Sequence, residues 1–566
     1  MYVGKKKWEP SEGIELEPNA LQVIKDNDNN YCITAGPGSG KTELLAQKVT
    51  YLLQENVCIY PKRILAISFK KDARKNLKDR VQKRCDSNLS ERFDSHTYDS
   101  FAKDILDRFR LGIHSKYRPP KDYQVDLSKT GNPKDLTKLN FERICKAAKH
   151  ILNTNPHILK AFRATYSHVL LDEFQDTTTN QYELIKTVFS LKTRLIAVGD
   201  EKQRIMVWAG ADPEVFNKFI RDFNAKKISL FANHRSNPPL VQLQKHMINA
   251  GKGKVDSIPT ESSKENPGSC SIWLFDNEDT EAKTVAKYIK EVLEYDSYKH
   301  DDVCVIVKQR SQLYSQKLIQ ELSNIGIEAR VFDQLQDLMS EELTKLILDS
   351  FKIALGRSPS EFSNVYGLYK ETRLTRVDVV PKWEFYRKID QEIIKFSKKI
   401  REQLSLVRNS DDLHKCIDEV IAFFGIKKLK NIYPKYKQGT YLTEIKNKIS
   451  LELMKIYEES HNWSDSIRKL KGEGSLPIMT IHKSKGLEYK IVIFMGLEDQ
   501  AFWSFQSQSE EDTCAFFVAL SRAKEKVIFT FSKKRDFLRK NPQTNTLIRP
   551  LYDLLVSSKL VDVKNF

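Results

Sequence analysis

Ala35, Gly36, Pro37, Gly38, Ser39, Gly40, Lys41 and Thr42 follow one another directly. Three glycines in so short a run let the backbone approach an oligophosphate. Successive N–H groups and the start of the next helix then point at negative charge. Lys41 is suited to reach the terminal phosphates, and the Thr42 hydroxyl to hold Mg²⁺. Farther on, two adjacent carboxylates, Asp172 and Glu173, end the apolar run that starts at His168. Such a pair fits a metal shell and a general base acting on a water. Gln203 follows another apolar run, Arg194 to Val198, where it could touch a γ-phosphate, and Trp208 offers a face for base stacking.

These groups need strands to carry them. Cys32 to Ala35 reads as a short strand, and Glu43 to Leu53 as the amphipathic helix after the loop. Arg63 to Phe69 is a β-type run, followed by a helical face at Ala73, Leu77 and Val81. This βαβ rhythm predicts a parallel sheet with ligands at the strand ends. A second series starts near Ile228 and continues through strands at Ser271 to Leu274 and Val303 to Val307. Strand patterns return at Pro477 to His482, Tyr489 to Met495 and Lys526 to Phe531, with a helix at Glu510 to Leu520. The chain is therefore read as α/β, with two doubly wound domains at residues 1–223 and 224–566. Smaller insertions are expected at about 102–160 and 356–470, the second Lys-rich and helical.

Composition narrows the partners. Across 566 residues, 93 lysines and arginines face 75 aspartates and glutamates, a net charge of +18. Such an excess points to a polyanion, nucleic acid before an anionic membrane surface. The eight cysteines show no metal-ligand or disulfide spacing, which fits a reducing cytoplasm. No apolar run reaches the ~18 residues of a membrane span.

The order of these signals resembles the UvrD/Rep/PcrA-like superfamily 1 DNA helicases from residue 35 to residue 523. Ala35 to Thr42 is similar to motif I, Ser68-Phe69-Lys70-Lys71 to motif Ia, and Thr97-Tyr98-Asp99 to the Thr-Phe-His motif. Asp172 to Thr177 resembles motif II, Gly199 to Ala211 motif III, and Leu230 to Ser236 motif IV. Thr480 to Glu488 resembles motif V, and Val518 to Ala523 motif VI. The resemblance implies two RecA-like domains with ATP and Mg²⁺ in the cleft between them. It gives Asp172 the metal shell, Glu173 the hydrolytic water, Gln203 the γ-phosphate, and Arg235 and Arg522 the role of arginine fingers. His234, Gly486 and Glu488 would line the nucleotide, while Phe69, Lys70, Thr97, Tyr98, Trp208, Thr480 and His482 would meet single-stranded DNA.

The implied activity is an ssDNA-stimulated ATPase that moves 3′ to 5′ and unwinds DNA at single-strand/duplex junctions, in repair, recombination or anti-phage defence. The alternative is a nucleic-acid-sensing ATPase that regulates or loads a partner nuclease. Three family contacts to adenine differ here: Ala20 stands for a Gln, Glu43 for an Arg and His234 for a Tyr. Loosened base selectivity is the expectation.

Overall fold

The computed structural model describes residues 8–566 except 70, 127–131, 133, 190–191, 207–209, 251–257, 260–267, 296–297, 333–334, 357, 374–381, 438 and 539–541. Within them the chain packs as two units, one of residues 1–119, 125–329 and 478–566, the other of 120–124 and 330–477.

The first unit carries two parallel sheets. Strands β1 (Tyr31–Ala35), β2 (Arg63–Ser68), β3 (Phe93–Thr97), β4 (Tyr166–Leu171), β5 (Arg194–Gly199) and β6 (Lys226–Leu230) form one sheet in the order β3-β2-β4-β5-β1-β6. All five pairings are parallel. The first sheet thus takes in Lys226–Leu230, paired with β1, where the sequence reading began the second series. Helix α1 (Pro18–Lys25) precedes β1, and α2 (Lys41–Gln54) follows the phosphate loop. Leu44, Leu45, Val49, Leu52 and Leu53 of α2 are buried in one core with Tyr31, Ile33, Ile64 and Ala66 of the sheet. After β2 comes α3 (Lys71–Arg84), and after β3 comes α4 (Tyr98–Phe109).

Six of the seven strands of the second sheet are β7 (Ser269–Phe275), β8 (Val303–Val307), β9 (Leu476–Thr480), β10 (Tyr489–Met495), β11 (Ala523–Ser532) and β12 (Val561–Asn565), in the order β9-β8-β10-β11-β7-β12. Every residue of β8 is buried, as expected for a strand covered on both faces of a parallel sheet. The run expected to be strand through His482 turns helical after Thr480, giving α5 (Ile481–Ser484), and α6 (Ser509–Leu520) lies between β10 and β11.

The other unit is built on long helices, among them Glu342–Leu355, Lys382–Leu406, Ser410–Phe424 and Tyr441–Ser460. Its core joins Phe351, Ile393, Ile400, Ile417, Ile449 and Leu453. Phe423 lies face to face with Tyr369 and Phe396, with ring centroids at 4.2 and 4.0 Å. The helical segment therefore begins before the expected residue 356, with Glu342–Leu355 already part of it.

Candidate active site

The phosphate loop leaves the C-terminal end of β1, and its shape depends on glycine where φ is positive: +69° at Gly38 and +76° at Gly40. Ser39 Oγ donates to Gly36 O at 2.8 Å, bracing the turn. Lys41 Nζ donates to Ala35 O at 3.0 Å and to Gly36 O at 2.8 Å, so the ammonium lies against the loop it follows. Burial pulls the Lys41 pKa down, with Asp200 and Glu173 acting against that shift.

At the end of β4, the Glu173 N–H donates to Asp172 Oδ1 at 2.9 Å. Glu173 itself has φ 50° and ψ 43°, a left-handed backbone that costs a non-glycine residue roughly 1 to 3 kcal/mol and collects at functional sites. The two carboxyls part company electrically. Burial and the neighbouring Glu173 charge push Asp172 up. Glu173, despite burial, is held down by Lys485, Lys41 and the amide of Gln175. Burial and Glu173 thus disfavour the charged form of Asp172, and a divalent cation beside it would favour that form. Among the described residues no group of three His, Cys, Asp or Glu side chains could hold a metal by itself.

Gln203, after β5, sits between the two sheets. Its Nε2 donates to Asp200 Oδ2 at 2.6 Å, and its Oε1 accepts from Arg522 Nη2 at 2.8 Å. Arg522, just before β11, also donates to Val518 O at 3.0 Å and Leu487 O at 3.2 Å, and makes no ion pair among the described residues. Burial and the nearby Arg235 charge lower it to about 9, still protonated at neutral pH. Arg235 donates to Glu488 Oε2 at 2.8 Å and Ser521 O at 3.0 Å. Glu488 also pairs with Lys524 at 2.8 Å. Although burial opposes it, those two cations hold Glu488 at about 2.

Lys485 carries no role in the sequence reading, yet it is buried between the sheets. It pairs with Asp176, donates to Gln203 O at 2.9 Å, and lies 3.8 Å from Glu173 Oε2. The only sequence signal for it is a lysine flanked by Ser484 and Gly486 inside the motif V run. The segment Asn233 to Ser236 joins the parts. His234 N–H donates to Gly38 O at 2.9 Å, and Ser236 Oγ donates to Ala523 O at 2.7 Å. A Cβ at Gly38 would come within 2.6 Å of Asn233 Oδ1 and 2.7 Å of Arg235 Cβ.

The residues expected to meet DNA divide. Phe69, Thr480 and His482 are half-buried at the C-terminal ends of β2 and β9. Thr97 is spent as the cap of α4, accepting from Ser100 N–H at 3.1 Å. Tyr98 is only 3% exposed, and Thr177 Oγ1 donates to its hydroxyl at 3.0 Å. Its ring is packed in the protein and offers no face to a base, because it begins α4 on the side turned to the core. Lys70 and Trp208 lie outside the described residues.

Sequence comparison meets this geometry. Residues 16–118 and 114–224 match the UvrD/REP helicase N-terminal domain, and residues 228–358 and 369–534 match the UvrD-like helicase C-terminal domain. The chain is similar to the ATP-dependent DNA helicase PcrA of Staphylococcus aureus strain Mu50, at 24% identity over 94% of this chain and 85% of that protein. PcrA of Staphylococcus epidermidis is 23% identical over 91% of this chain and 83% of its own length. DNA helicase II of Haemophilus influenzae is 24% identical over 70% of this chain and 59% of its own. With both halves of the chain matched in order, the protein belongs to the UvrD/REP helicases, a family of DNA-dependent ATPases.

Proposed function

We propose that this chain is an ATP-driven motor that tracks single-stranded DNA 3′ to 5′ and separates duplex at junctions. The observation that carries the reading is the hydrogen bond from Arg522, just before β11 of the second sheet, to Gln203, just after β5 of the first. Hydrolysis chemistry would then depend on closure of the two sheets on each other.

Lys41 would hold the phosphates, and Thr42 with Asp172 would hold a Mg²⁺ ion. When bound, Mg²⁺ supplies charge neutralisation at the phosphates, and one carboxylate with phosphate oxygens is an ordinary set for it. Glu173 takes the proton of the attacking water, and its left-handed backbone fixes where that carboxylate aims. Gln203 reports the γ-phosphate to Arg522, while Arg235 and Arg522 oppose the charge that develops there; such fingers are worth ~10³ to 10⁵ in rate. Glu488 faces the nucleotide side through Arg235, with Gly486 in the same run. Phe69, Thr480 and His482, with Lys70 and Trp208, form the DNA face, where stacking at roughly 1 to 3 kcal/mol per base suits travel on any sequence.

The reduced insertions favour work beside a partner, such as a nuclease, in cytoplasmic DNA repair, recombination or anti-phage defence. No helix among the described residues is long and apolar enough to cross a membrane. The test is ATP hydrolysis with and without single-stranded DNA, next to unwinding of duplexes with a 3′ or a 5′ tail. Stimulation by DNA and unwinding from the 3′ tail are expected. Turnover indifferent to DNA, or unwinding from the 5′ tail alone, refutes the reading.

A further inference from the structure

Residues 17–19, 38–43 and 229–234 meet around the phosphate loop, and polar side chains there are already engaged with the protein. Asn19 Nδ2 donates to Ser229 O at 2.8 Å. The Glu17 carboxylate accepts from the N–H groups of Phe231 and Ala232, each at 3.1 Å. Glu43, the third residue of α2, is the most heavily bonded of all. Its Oε1 accepts from Gln47 Nε2 at 2.9 Å and pairs with Arg84 Nη1 at 2.8 Å. Its Oε2 pairs with Arg80 Nη1 and accepts from Arg84 Nη2 at 3.3 Å.

The partners are committed in turn. Gln47 accepts from Ser11 N–H at 3.0 Å and donates to Ser11 O at 3.2 Å, and Arg84 pairs with Glu12 at 2.6 Å. A carboxylate has about four lone-pair sites, so Glu43 has none left for the edge of a base. What this flank does present is the exposed side chain of His234, tied by its backbone to Gly38. An imidazole face stacks on any base.

We propose that the site accepts nucleoside triphosphates irrespective of their base, holding them by the triphosphate and a stack on His234. The inference rests on the reading of the loop as a nucleoside triphosphate site and names its substrate class. The size of the effect follows from what is absent. A site built to hydrogen-bond a substrate group rejects analogues lacking it by ~10⁴ to 10⁵, whereas shape alone discriminates far less.

The experiment displaces a fluorescent ADP from the full chain, with Mg²⁺ present, using ATP, GTP, CTP and UTP. Hydrolysis of the same four is measured with single-stranded DNA. Affinities and kcat/KM values within about tenfold of one another are expected. One nucleotide favoured by more than about tenfold overturns the proposal while leaving the motor reading intact. If none of the four displaces the probe, the nucleotide reading itself falls, and the proposal with it. Glu43→Gln tests the cause: the ratios among the four stay as in the parent, and a base preference that appears in this variant assigns base reading to Glu43 and overturns the argument.

Discussion

Two buried arginines flank the same strand. Arg522 precedes β11 and Arg535 follows it. Arg535 is gripped by two carboxylates: its Nε donates to Glu498 Oε1 at 2.7 Å, and its Nη1 and Nη2 donate to Glu281 at 2.7 and 3.0 Å. The Tyr314 ring lies 5.0 Å from its guanidinium. Despite burial, Glu281 and Glu498 push Arg535 up. Arg522 has carbonyls, a hydroxyl and one amide around it, and burial pulls it down. The first is finished as an ion pair. The second makes no direct ion pair among the described residues, which is how a finger differs from a rivet.

The widest separation between the two should appear in rate. Arg522→Ala is expected to lower DNA-stimulated turnover by ~10³ to 10⁵ while costing less stability than Arg535→Ala. A stability loss that matches the loss of activity would put Arg522 in the same class as Arg535. Next in size, Arg535→Ala strands Glu281 and Glu498 in the interior, and removing one partner of a buried pair costs about 3 to 5 kcal/mol. Urea unfolding measures it, and a midpoint unchanged from the parent breaks the comparison.

A smaller effect is pH dependence. Burial and Glu281 raise Glu498 from 4.5 to about 7, with Arg535 acting the other way. The folded state therefore holds a proton that the unfolded state gives up, so stability present at pH 4.5 is lost as pH rises through 7. Melting temperatures between those values should fall with pH, and Glu498→Gln should flatten the slope. Smallest of all is the exposed pair of Lys146 and Glu142 at 2.6 Å, where Lys146→Ala is expected to cost under about 0.5 kcal/mol.

The contrast also marks what the sequence could tell. Strands with continuous apolar runs, such as Val303–Val307 and Tyr489–Met495, were legible to the residue, because burial on both faces leaves no ambiguity. Phe93–Thr97 was not, since its interior is Asp94, Ser95 and His96, and neither was Val561–Asn565, whose residues alternate with charges at an edge. Among functional groups, the loop, the carboxylate pair, Gln203, Arg235 and Arg522 stand out by type and order. Lys485 and the cluster about Glu43 do not, because each is defined by partners far along the chain: Asp176 for the one, Arg80 and Arg84 for the other. Tyr98 shows the reverse error, an aromatic in the right motif whose ring the fold has turned inward.

Gly38 gives the loop a mechanical property apart from its chemistry. A methyl group at Gly36 would meet nothing within 4 Å, whereas one at Gly38 would strike Asn233 and Arg235. Drift at the first glycine is thus sterically tolerated, and the second is a bearing surface on which the Asn233 to Ser236 segment seats. Gly38→Ala would act as a wedge against that segment and would also strain the loop at its positive φ. It offers a way to study nucleotide capture with the Asn233 to Ser236 segment displaced from the loop.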